Sequence, residues 1–136
     1  MRPAALEDYG LLAALRTYAA RFERRTGIAL AVVGAEDAAE IAPQLETALF
    51  QIARDALDNV ARHSRAQSAV VELSVGGGVV QLSIRDDGAG FDMQAPHTPE
   101  AWGLTLMRER AATISAQLRV DSAPGGGTRV SVRVRG

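Results

Sequence analysis

The chain has 136 residues, 47% of them hydrophobic, which is enough for one compact domain with its own core. Its 15 basic residues, every one an arginine, face 16 acidic ones for a formal net charge of −1, so neither nucleic acid nor an anionic membrane is indicated as the main partner. Without Lys there is no Walker A loop or Schiff-base chemistry, and without Cys there is no disulfide, thiol nucleophile or Cys-built zinc site.

Ala5 to Arg25 has helical period, with Leu6, Leu11, Leu12, Leu15, Tyr18, Ala19 and Phe22 on the apolar side. Pro3 suits its start, Gly10 a kink and Gly27 its stop. The outer face, from Arg16 to Arg25, is a solvated charged face. The chain opens abruptly on this helix, as a piece cut from a longer protein does. Ile28 to Val33 reads as a short strand, and Gly34 to Ala42 as an acidic, Ala-rich connector. A second helix is expected from Pro43 to about Ser64, with Leu45, Leu49, Ile52, Ala56 and Val60 as its core stripe. Asp55, Asn59 and His63 recur along one edge of that stripe. An Asp and an Asn one turn apart offer oxygen ligands suited to Mg²⁺; equally, they can simply mark the water boundary of an amphipathic helix. The residues alone leave both readings open. His63 and His97 are too few and too scattered for a metal cluster.

Ser68 to Val75 and Val79 to Asp86 read as a hairpin around Gly76, Gly77 and Gly78. The second strand ends in Arg85-Asp86-Asp87-Gly88-Ala89-Gly90-Phe91, two carboxylates followed by two glycines. Asp-Gly is ordinary turn chemistry, but a carboxylate at a strand tip beside glycines can also accept hydrogen bonds from a ligand amine while the nearby backbone stays approachable. Asp92 to Trp102, with Pro96 and Pro99, has no periodicity and reads as a mobile loop holding a solvent-exposed His97. Gly103-Leu104 is expected to open a helix to about Ser115, its free amides a fit place for phosphate. Two last strands, Gln117 to Ser122 and Thr128 to Arg135, flank Pro124-Gly125-Gly126-Gly127, a hairpin turn or a ligand wall. No apolar run approaches the roughly 18 residues of a membrane span and no signal peptide opens the chain, so a soluble, reducing compartment is the expectation.

In this order the motifs resemble the ATP-binding catalytic domain of bacterial sensor histidine kinases, within the gyrase, Hsp90, histidine kinase and MutL ATPase superfamily. The run from Gln51 to His63 resembles that family's N box, Asp86 to Gly90 its G1 box, and Gly125-Gly126-Gly127-Thr128 its final glycine box. Gly103 to Ala111 resembles the G2 region of the subgroup paired with LuxR/NarL-type response regulators, and Arg2 to Leu11 the end of that subgroup's dimerisation helix.

The resemblance implies an α+β fold, a two-layer sandwich of the Bergerat type whose mixed, mostly antiparallel sheet carries helices on one face. It implies a lead-in over residues 1–27 and an ATP-binding domain over 28–136. Asn59 would coordinate the Mg²⁺ that bridges the nucleotide phosphates, and Asp55 with it would form the catalytic pair. Asp86 would accept from the adenine amine, with Gly88 and Gly90 giving the base room and Thr128 supporting that contact. Gly103 and Leu104 would supply helix-start amides and an apolar wall, Arg62 and His63 would face the phosphates, and Asp92 to Trp102 would be a short ATP lid.

Two departures stand out. Asp55 occupies a position where the family usually has Glu, and Leu106 replaces a glycine common in the G2 box. Neither histidine has the setting of a phosphoacceptor. The expected function is therefore Mg-ATP binding and donation of the γ-phosphoryl group to a histidine on a dimerisation domain outside this chain, with a response regulator as indirect partner. The fragment is expected to be monomeric and cytoplasmic. The alternatives are a nucleotide-sensing module without turnover and a serine kinase of the anti-sigma type.

Overall fold

The computed structural model describes residues 4–34, 41–92 and 99–135; the side chains of 4–9, 63, 64 and 99–103 are outside that description. Most of the acidic connector and of the expected lid, His97 included, therefore lies outside the described residues.

Helix α1 spans Ala4–Thr26 and buries Leu11, Leu15, Ala19 and Phe22, four positions at helical spacing. Gly10 interrupts it, with φ 84° and ψ −179°. The break strands the amide of Leu11, which donates to Glu46 Oε2 at 2.9 Å. Glu46 is only 6% exposed, so a buried carboxylate of the next helix caps this one. Strand β1 (Ala29–Gly34) follows, and helix α2 (Pro43–Asn59) crosses over to β2 (Ser68–Gly76), which runs parallel to β1. After Asn59 the helix widens into a π-helical turn, Val60–Ser64, and stops at Arg65 in the left-handed region. The expected second helix is thus present to its predicted end, but its last turn is not α.

Strand β3 (Val79–Asp86) returns antiparallel to β2 through Gly77 and Gly78. Helix α3 (Pro99–Thr113), β4 (Gln117–Ser122) and β5 (Thr128–Arg135) complete a five-stranded sheet of order β1-β2-β3-β5-β4. Among the described strands only the β1–β2 pair is parallel. Alternation decides the layering. Val71, Leu73, Leu82, Ile84, Val130 and Val132 point to one face and join the buried residues of all three helices in one core. Glu72, Gln81, Arg85, Arg129 and Arg133 point to the other face, which stays exposed. The α+β two-layer fold with helices on one face is the one expected. Leu11, Leu15, Ala19 and Phe22 share that core, so α1 packs as part of the same body.

One expectation fails. Helix α3 starts at Pro99, so Gly103 sits inside it and not at its N-terminus. Proline's fixed φ and missing amide suit the first helical position, where no intrahelical donor is needed. Read from sequence, Pro99 was a loop residue. Among the described residues no helix is long and apolar enough to cross a membrane.

Candidate functional site

Three strands enter the site with the same grammar. Each carries apolar residues on its inward face and exchanges them for a polar one at the end of the sheet: Ile84 then Asp86 in β3, Val130 then Thr128 in β5, Val120 then Ser122 in β4. Register joins these ends. Asp86 pairs with Thr128 and Thr128 with Ser122, so the three polar side chains form one rung next to the apolar rung Ile84–Val130–Val120. A cleft opens over that rung, with Ile84, Asp86, Thr128 and Val130 as its floor and Ala56, Asn59 and Val60 of the α2 region as one wall. Gly90, Phe91 and Leu104 close the rest. Asp86 and Asn59 therefore face the same cavity, as the sequence reading requires.

The two adjacent carboxylates have opposite fates. Asp86 accepts the Gly88 amide on Oδ1 at 2.8 Å. Burial pushes its carboxyl above the usual aspartate value; the Gly88 amide opposes this and the Asp87 charge adds to it. Asp87 turns away to the sheet end, where it accepts the Gln67 amide (2.9 Å), the Ser68 amide (3.0 Å) and the Ser68 hydroxyl (2.7 Å). Those donors, the Ser68 amide foremost, hold its carboxyl below the usual value. Asp87 is a structural clamp on the start of β2, and Asp86 is the acid that lines the cleft.

Glycines let the two loops at this end touch backbone to backbone. Gly90 has φ 64° and an added Cβ would run into the carbonyls of Ala123 and Gly127; at Gly127, φ 70°, an added Cβ would run into the Asp86 carbonyl. The Gly125 amide closes the contact by donating to the Ala89 carbonyl at 2.6 Å. The glycine turn between β4 and β5 is thus a hairpin turn, and one that presses on the loop after Asp86. Gly88 holds Asp86 through its amide; Gly90 is the glycine at the cavity itself.

At the helical end, Leu104 lines the cleft and is 5% exposed, the apolar wall expected of it. Asp55 does not line the cleft. Its Oδ2 accepts Arg110 Nε of α3 at 2.6 Å, while Arg110 Nη1 donates to Gln51 Oε1 at 3.0 Å. Arg62 is exposed and paired with Asp58, Nε to Oδ2 at 3.3 Å, and the His63 side chain is outside the described residues. Among the described residues no group of three or more His, Cys, Asp and Glu could hold a metal alone. Asn59, on the cleft wall, carries a side-chain oxygen of the kind that suits a hard cation such as Mg²⁺.

Sequence reasoning missed Ser122, Phe91, Arg110 and Gln51. Ser122 had a readable signal, as the polar third member of the alternating set Leu118, Val120, Ser122. Arg110 and Gln51 had none, because they lie 59 positions apart.

Asp86 and Thr128 at the end of the sheet, Leu104 of α3 and Asn59 of α2 thus line one cleft. The pattern that defines the Histidine kinase-, DNA gyrase B-, and HSP90-like ATPases matches residues 44–136, and the chain belongs to that family. Relatives include the signal transduction histidine-protein kinase/phosphatase DegS of Bacillus subtilis (strain 168), 33% identical over 98% of this chain and 36% of its own length. The sensor histidine kinase LiaS of the same organism is 34% identical over 98% of this chain and 36% of its own. The chain thus spans about a third of the length of these curated relatives. In fold it is similar to the histidine kinase domain of the Erythrobacter litoralis EL346 blue-light activated histidine kinase. That likeness has a TM-score of 0.73 and 21% identity over 92% of this chain and 60% of the other.

Proposed function

We propose that this chain is the catalytic ATP-binding part of a two-component sensor histidine kinase. It binds Mg-ATP and donates the γ-phosphoryl group to a histidine on a dimerisation segment of the parent kinase, which passes it to a LuxR/NarL-type response regulator. The observation that carries this reading is the shared cleft of Asn59 and Asp86. Asp86 accepts from the adenine amine, Phe91 and Leu104 cover the base, and Asn59 supplies the protein oxygen to Mg²⁺, whose charge offsets that of the phosphates. Residues 1–27 act as the lead-in from the dimerisation helix, and 28–136 as the nucleotide domain. The α3 amides before Gly103, with His63, line the phosphate path, and Arg62 exchanges Asp58 for a phosphate when nucleotide arrives. Transfer forms a bond from an imidazole nitrogen to the γ-phosphorus and breaks the bond to the bridging oxygen, releasing ADP. The acceptor's position comes from outside the chain.

Calorimetric titration with ATP, with and without Mg²⁺, tests the binding step. Micromolar to millimolar binding strengthened by Mg²⁺ is expected, and Asn59→Ala should remove most of the Mg²⁺ benefit. No binding in the millimolar range sinks the proposal. A second reading, nucleotide sensing without turnover, is favoured by the engagement of Asp55 Oδ2 with Arg110, which ties one oxygen of that carboxylate to α3. Incubation with a His-bearing dimerisation segment and radiolabelled ATP separates the two: label on histidine supports the kinase, bound ATP without label the sensor.

A further inference from the structure

We propose that Ser122, which does not line the cleft, sets the purine specificity of the pocket by fixing the Thr128 hydroxyl as a hydrogen-bond acceptor. The inference rests on the reading of the cleft as a nucleotide site and goes past it, to what selects the base.

The argument is an accounting of protons. Ser122 Oγ has three partners: the Phe91 amide at 2.9 Å, the Gly127 carbonyl at 3.1 Å and Thr128 Oγ1 at 2.8 Å. A serine hydroxyl has one proton and two lone pairs. The Phe91 amide can only donate and the Gly127 carbonyl can only accept. Ser122 therefore spends its proton on Gly127, and the third bond forms only if Thr128 donates to Ser122. All three are satisfied in one arrangement, and in it Thr128 has no proton left for the cleft.

Thr128 then presents lone pairs beside Asp86, its cross-strand neighbour. Two acceptors at the strand tips favour a purine whose 6-substituent donates, as the amine of adenine does. They repel one whose 6-substituent accepts, as the carbonyl of guanine or hypoxanthine does. An unfilled or misaligned polar partner is the kind of difference that gives strong discrimination. Remove the Ser122 hydroxyl and Thr128 regains a free proton, able to rotate and donate to a 6-carbonyl. Discrimination then falls although no residue that touches the base has changed.

Affinities of the full chain for ATP and inosine triphosphate (a 6-carbonyl purine without the 2-amino group) test this. The unsubstituted chain should prefer ATP. Ser122→Ala should lower that preference by about fivefold or more, the scale of one lost hydrogen bond. Ser122→Thr, which keeps a hydroxyl, should restore it. In a Thr128→Val background, which lacks the hydroxyl being oriented, Ser122→Ala should leave the ratio unmoved. Ser122→Cys, similar in shape but weak in hydrogen bonding, should shift the ratio the same way and serves if the alanine variant does not fold. An equal loss for both nucleotides, an unchanged ratio, or an undiminished effect in the Thr128→Val background overturns the inference while leaving the nucleotide site standing. Failure of the unsubstituted chain to bind ATP removes the site and the inference together.

Discussion

The two ends of the cleft are built from different materials. At the base end, Asp86, Thr128 and Ser122 belong to one rung of a hydrogen-bonded sheet, and the loops beyond them meet backbone to backbone at Gly90 and Gly127. At the helical end, α2 and α3 are joined by side chains: the core contacts of Leu104 and Met107 and the Asp55–Arg110–Gln51 set, with Arg110 35% exposed. A sheet ladder fixes donors and acceptors by main-chain geometry, which is what reading one base against another demands. Long side chains with partial exposure can trade partners at small cost, which would suit the phosphate end of the proposed nucleotide site.

The sharpest way to break this contrast is to add a methyl group where the base end has no room. Gly127→Ala should lower the unfolding free energy by about 2 kcal/mol or more, from the left-handed backbone and the collision with Asp86 together. Gly76→Ala, where nothing lies within 4 Å, should stay within about 0.5 kcal/mol. Urea denaturation of both variants measures the difference, and equal effects would erase the claim that the base end is tightly closed.

Next in size is the charge proposed to read the base. Asp86→Asn should weaken ATP by roughly 10- to 100-fold, the range of a hydrogen bond to a charged group, with little effect on the fold. An unchanged affinity by calorimetry would move the base elsewhere.

Acid should reach binding through the same residue. In the proposed function adenine binds the ionised carboxylate, and burial places the Asp86 carboxyl above its usual value, so ATP affinity should begin to fall at a higher pH than an ordinary Asp dictates. Asp86→Asn should flatten that profile. For stability the neighbouring acids have opposite signs. With its folded value raised, Asp86 favours the fold as pH drops through that value. With its folded value lowered, Asp87 contributes stability above the unfolded value that is lost as pH falls toward the folded one. Acid titrations of Asp86→Asn and Asp87→Asn should therefore bend in opposite directions.

The smallest effect belongs to the helical end. Arg110→Met should cost about 1 kcal/mol of stability, the scale of a partly exposed ion pair, and change ATP affinity less than Asp86→Asn does. A larger loss of affinity than Asp86→Asn shows would make the helical end the selective one and reverse the comparison.

Much of this was legible beforehand. Strand alternation gave β2 to β5 nearly to the residue, because period two against period 3.6 is a local signal. The stripe from Leu45 to Val60 gave α2 and put Asn59 on its edge. Two glycine sites around Asp86 gave the slot. The failures were also local in cause. Pro99 is equally at home in a loop and at a helix start, so the start of α3 was misjudged. Asp55 was expected in a catalytic pair with Asn59, and its bond to Arg110, 55 positions on, left no local sign.

What the sequence determined alone was each strand's inward face and the polar residue that ends it, since alternation is written in neighbouring residues. It could not say that Asp86, Thr128 and Ser122 end at the same level. That depends on the register of β3 with β5 and of β5 with β4, and a slip of one residue in either pairing would turn the polar ends to opposite faces. Tertiary structure decided it, by requiring Ile84 and Val130 to enter one apolar core beneath the helices with Val120 packed against it.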